Sequence, residues 1–139
     1  MSRTSRTDAL RAVPLFTAFA DKELAAVAKV IEVVDVKADE VLVTQGQRGH
    51  EFYVIAEGTA DVVRDGAKVA SLSAGQWFGE LAVLNPQPRN ATVTMTSDGQ
   101  VLILAEREFF SLLATAPSLS RKLLIGLASR LHTEDSIQR

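Results

Sequence analysis

The sequence predicts a mainly β fold, an antiparallel β-roll of the jelly-roll kind with helices at both ends. Three observations point to it. Short apolar, β-prone segments follow one another between residues 41 and 104. Turn signals built on Gly, Asp and Pro separate them. Segments with helical spacing lie only before and after this stretch. Short strands at such spacing favour an antiparallel roll or sandwich over a βαβ arrangement.

The elements are read in chain order. Residues 1–9 are expected to form a flexible tail, with Arg3, Arg6 and Arg11 as solvated charges of this end, and residues 10–139 one domain. Residues 10–19 are apolar and broken at Pro14, which suggests a short helix and a further turn. Asp21 is a candidate cap for a helix over 22–33, where Leu24, Val27, Ala28 and Ile31 share one face. The period then changes. Val41-Leu42-Val43 reads as a strand, and Gln45-Gly46-Gln47-Arg48-Gly49 as a turn whose two glycines permit positive φ. Phe52-Tyr53-Val54-Ile55 reads as a strand closed by Gly58. Segments 60–64 and 68–72 flank Asp65-Gly66, a strong two-residue hairpin signal. Strands are further expected over 91–95 and 101–104, and a helix over 106–114. Pro117 suits the first turn of a last helix, 117–131. Its Leu119, Leu123, Leu127 and Leu131 recur every four residues and read as core packing, because the stripe is too short for a coiled coil.

Composition narrows the function. The 139 residues carry a net charge of -2, which gives no general affinity for nucleic acid or anionic lipid. No cysteine is present, so thiolate metal sites and disulfides are out. The two histidines, His50 and His132, cannot build a metal site without carboxylate help. No serine, histidine and acid constellation has supporting context, so no catalytic residue and no enzyme activity are expected. No apolar run is long enough for a membrane span and no secretory leader is visible, so a cytoplasmic location is expected.

The segment that carries chemistry runs from Phe78 to Val93. Gly79 lets the backbone approach a ligand with no Cβ between them. Glu80-Leu81-Ala82-Val83-Leu84 is about one helical turn, whose free N–H groups can receive an anion. Pro86 and Pro88 stiffen the return. Arg89, nine residues after Glu80 and at the start of the next strand, can offer the same anion two parallel donors. Glu80 only accepts hydrogen bonds, so it suits a sugar hydroxyl and not a phosphate. Trp77 and Phe78 are expected to pack inward.

This segment resembles the phosphate-binding cassette of the cyclic nucleotide-binding domain family at Phe78, Gly79, Glu80, Leu81, Ala82, Arg89, Ala91, Thr92 and Val93. The resemblance extends outward over roughly residues 10–131. It implies a cyclic nucleotide as ligand, with no cofactor and no metal. Glu80 would take the ribose 2′-hydroxyl and Arg89 a phosphate oxygen. The amides of Leu81, Ala82 and Ala91, with Gly79 nearby, would complete the phosphate cradle. The C-terminal helix would close over the base and carry the signal, with Leu127, Arg130 or Leu131 as lid, since no aromatic residue lies beyond Phe110. Position 90 is Asn90, where cGMP-favouring members often carry threonine, so cAMP is favoured over cGMP. The partners expected are the nucleotide and a protein effector or further domain, without nucleic acid or membrane. The alternative is a module that keeps the fold without its ligand, pairs Glu80 with Arg89, and docks to a partner through its helices.

Overall fold

The computed structural model describes residues 6–13, 16, 19–79, 88–115, 120, 121 and 125. Among them are α1 (Arg6–Arg11), α2 (Asp21–Val30), eight strands and α3 (Glu106–Thr115). The strands are β1 (Glu32–Val36), β2 (Val41–Val43), β3 (Glu51–Glu57), β4 (Thr59–Arg64), β5 (Ala67–Ser73), β6 (Trp77–Phe78), β7 (Thr92–Met95) and β8 (Gly99–Ala105). They form two four-stranded antiparallel sheets, ordered β1-β8-β3-β6 and β2-β7-β4-β5. The expected antiparallel roll with flanking helices is the observed fold.

The central strand β3 explains the layering. Four successive residues, Phe52, Tyr53, Val54 and Ile55, are buried. Side chains of a strand alternate between faces, so burial of all four means that both faces are covered. Phe52 and Val54 pack with Leu102 and Leu104 of β8 against the helices, among Leu10, Leu24, Val27 and Phe109. Tyr53 and Ile55 face the second sheet, among Ala60, Val93, Met95 and Val101. Burying each large apolar side chain here contributes about 1.5–3 kcal/mol. The order of layers is therefore helices, first sheet, second sheet.

The N-terminal region departs from the sequence reading in three places. Residues 6–9, inside the expected tail, belong to α1, where Ala9 and Leu10 are buried. Ala20, not Asp21, stands at the N-cap of α2. Its N–H donates to Glu23 Oε1 at 2.8 Å, while the Asp21 carboxylate accepts from Arg11 Nη2 at 2.9 Å. The third departure is that α2 stops at Val30, because Ile31 is already extended at φ -86, ψ 143. What reads as the last helical turn is β1, where Val33, Val34 and Val36 pair with β8. β-branched residues lose little in a strand and more in a helix.

The Asp65-Gly66 hairpin is as expected. Both residues have positive φ, 54° and 82°, as a type I′ turn requires. At the C-terminal end α3 runs one residue beyond the expected 106–114. The helix expected over 117–131 lies largely outside the described residues; 120, 121 and 125 are helical.

Candidate ligand-binding site

The site grows from the backbone around Arg89. β6 pairs antiparallel with β3, Tyr53 opposite Phe78 and Val54 opposite Trp77. That register carries Gly79, the residue after β6, towards the start of β3. From the other side, Gly46 N–H donates to the Arg89 carbonyl at 2.8 Å, and Arg89 N–H donates to the Gln47 carbonyl at 2.9 Å. Arg89 therefore does not begin β7, as its spacing suggests; it is clamped to the 44–49 turn, and β7 begins at Thr92. Gln45 fastens the same turn to its neighbours. Its N–H donates to Thr92 Oγ1 at 2.9 Å, and its side chain bonds both the carboxylate and the N–H of Asp65, at 2.8 and 2.9 Å.

The side chain of Arg89 is only 5% exposed. Its Nη2 donates to the Glu51 carbonyl at 3.1 Å and lies 3.6 Å from Glu51 Oε1. Its Cζ stands 5.9 Å from the centre of the Tyr53 ring. Nε and Nη1 are buried without a hydrogen-bond partner among the described residues. Buried N–H groups on a cation are costly to leave unpaired. Each of them shares an edge of the planar guanidinium with Nη2, and an N–H on either can donate to a phosphate oxygen with charge assistance.

Two glycines make room for this group. A Cβ at Gly49 would overlap Nε, Cζ and Nη2 of Arg89. Both glycines of this turn permit positive φ; only Gly46 adopts it, at 86°, and Gly49 is needed for space. Gly79 has φ +92°, and a Cβ there would meet the Glu51 carbonyl at 2.7 Å and Arg89 Nη1 at 2.8 Å. Gly79 and Arg89 are thus brought together, as their places in the cassette suggest.

Tyr53 forms the floor. Its ring stacks on Phe78 with centres 4.8 Å apart and planes 3° from parallel, and Phe78 packs inward as expected. Burial pushes the Tyr53 phenol above its ordinary pKa of 10.0; Glu51 pushes the same way and Arg89 opposes.

The remaining predicted residues divide. Ala91 is buried. Asn90 is exposed, and its carbonyl accepts from Arg64 Nε at 3.1 Å. Glu80, Leu81 and Ala82 lie outside the described residues, as do the lid candidates Leu127, Arg130 and Leu131. Glu51 and Tyr53 were not singled out from the sequence as site residues. Both lie on a strand legible from its apolar run, but only the contacts made in the folded chain show which of its residues reach Arg89. His50, adjacent to Glu51, sits 3.5 Å from Glu106 Oε2 across the start of α3. Among the described residues no group of three metal-ligating side chains occurs, and no helix is long and apolar enough to cross a membrane.

Comparison with known proteins gives the family and the fold. The family model of the cyclic nucleotide-binding domain matches residues 33–116. The cAMP-dependent protein kinase regulatory subunit of Mycosarcoma maydis is 40% identical over 110 residues, 73% of this chain and 21% of that protein. The chain thus spans about a fifth of this relative's length. Among solved structures, the catabolite activator protein of Thermus thermophilus superposes with a TM-score of 0.80 at 26% identity, covering 88% of this chain and 60% of that one. The regulatory domain of Toxoplasma gondii PKA, solved with cAMP, gives 0.76 at 27% identity, covering 90% and 49%.

Proposed function

Because the chain belongs to the cyclic nucleotide-binding domain family, we propose that it binds a cyclic nucleotide, cAMP ahead of cGMP, and relays binding through its C-terminal helix. The observation that carries this reading is the Arg89 guanidinium. It is buried, walled by two glycines, and holds two N–H donors without partners among the described residues. Such a group fits a phosphate, and the cyclic phosphate is the part of the ligand that every member of this chemical class shares. Glu80, with the amides of Leu81, Ala82 and Ala91, is assigned to the ribose and the rest of the phosphate cradle. The lead given to cAMP rests on Asn90 standing where a threonine would favour cGMP, and on the cAMP named for the related Toxoplasma structure. The binding unit is assigned to residues 10–139, with the output passed to a protein effector or further domain. No catalytic step is assigned to it.

Calorimetry with cAMP and cGMP on the wild type and on Arg89→Ala tests the reading. Removing a charge-assisted contact of this kind costs about 1.5–3 kcal/mol, so affinity should fall roughly ten- to hundredfold. Wild-type affinity in Arg89→Ala would refute the site. Tighter binding of cGMP than of cAMP would reverse the selectivity. Binding of neither nucleotide by the wild type would leave the interaction module as the better account.

A further inference from the structure

Glu51 meets Arg89 at Nη2, the nitrogen that shares a guanidinium edge with each of the two unpartnered donors. Its backbone is held by the pairing of Glu51 with Ala105 across β3 and β8, so the carbonyl that takes Nη2 is fixed by the sheet. Its carboxylate is held far less. The side chain is 45% exposed, and Oε1 lies 3.6 Å from Nη2, beyond hydrogen-bond length. The carbonyl therefore positions the guanidinium, while the carboxylate adds negative charge beside it without fixing it further. Nε and Nη1 remain free of protein partners among the described residues. A phosphate at either donor and the Glu51 carboxylate at Nη2 would share one cation, and two anions on one cation repel each other.

Resting on the nucleotide-binding reading above, we propose that Glu51 is a built-in competitor for Arg89, whose carboxylate weakens phosphate binding and so sets the working affinity of the site. Loss of the charge leaves the carbonyl contact in place, so Arg89 keeps its position and gains attraction for the ligand. The opposite expectation belongs to a positioning carboxylate, whose loss would slacken Arg89 and weaken binding.

The test is titration of the wild type and Glu51→Gln with cAMP at low and high salt. The substitution keeps the shape and the β3 backbone and removes only the charge. Affinity should rise roughly two- to tenfold at low ionic strength, the size of effect a half-exposed charge exerts through a high effective dielectric. The gain should shrink between about 0.01 M salt, where screening reaches about 30 Å, and about 1 M, where it reaches about 3 Å. Equal or weaker binding by Glu51→Gln at low salt overturns the proposal, as does a gain that ignores salt. A wild type that binds neither cAMP nor cGMP overturns the functional reading instead. Inorganic phosphate, followed by NMR shifts of the Arg89 side chain, then decides on Glu51 alone: tighter phosphate binding in Glu51→Gln supports the competition, and equal binding overturns it.

Discussion

The three atoms nearest to a Cβ added at Gly49 all belong to the Arg89 guanidinium, whereas one added at Gly79 would first meet the backbone carbonyl of Glu51, at 2.7 Å. The two glycines should therefore fail differently. In Gly49→Ala the guanidinium moves aside, because the end of a side chain yields more easily than backbone. Stability should fall by less than about 1 kcal/mol, while nucleotide affinity should drop at least about tenfold, since Arg89 leaves its place. In Gly79→Ala the φ of +92° is itself unfavourable for a residue with a Cβ, and stability should fall by about 1–3 kcal/mol before any ligand is added. Urea unfolding and calorimetry on both variants separate the two cases. Equal stability losses would show that Gly49 also serves the backbone. The sequence marked both glycines, but assigned backbone freedom to Gly49 and close approach to Gly79. Which of them makes space for a side chain depends on where Arg89 lies, 40 residues after Gly49 in the chain.

Among the secondary-structure elements, local sequence signals suffice where a local rule decides the conformation. The Asp65-Gly66 turn and the strands on either side of it follow from two residues whose φ values suit one turn type. The end of α2 is not legible locally, because Ile31 continues the apolar stripe of the helix and is buried with Leu24 and Val27. A residue can extend a helical stripe in space while its backbone is already extended, and β8, some 70 positions away, decides which. The C-terminal helix is the element on which signalling would depend. In the helix expected over 117–131, a glycine at position 126 would lower intrinsic stability by about 1 kcal/mol relative to alanine and make local opening easier. A ligand biases an element only through differential contact with its alternative positions. Hydrogen exchange over residues 117–139 should therefore change when cAMP is added at saturation. Identical exchange with and without nucleotide would rule out the lid role of Leu127, Arg130 and Leu131.

For the whole molecule, Tyr53 links the site to stability. It lies in the core between the sheets, stacks on Phe78 and stands beneath Arg89. Burial raises its pKa above 10.0, with Glu51 acting in the same direction. A phenol whose folded-state pKa is raised contributes stability that is fully present below the unfolded value. That contribution is lost as pH rises through the folded value. The protein should thus lose stability above about pH 10, where the unfolded phenol releases its proton and the folded one retains it. Urea unfolding of the wild type and Tyr53→Phe between about pH 9 and about pH 11 should show a shallower alkaline decline in the variant. Parallel declines would mean that other groups set the alkaline limit.

The fold class, the hairpin at 65–66, and the pairing of Gly79 with Arg89 in one cassette are all legible in the sequence alone. Each follows from turn chemistry, apolar period or a short motif, all of which act over a few residues. Only the tertiary structure decided that β1 is a strand, that Gly49 is there for the Arg89 guanidinium, and that the carbonyl and carboxylate of Glu51 face Arg89 across 38 positions of chain. Those features depend on sheet register. The pairing of β6 with β3 and the clamp of residues 46–47 on Arg89 bring distant segments together, and no local propensity encodes which side chains then meet.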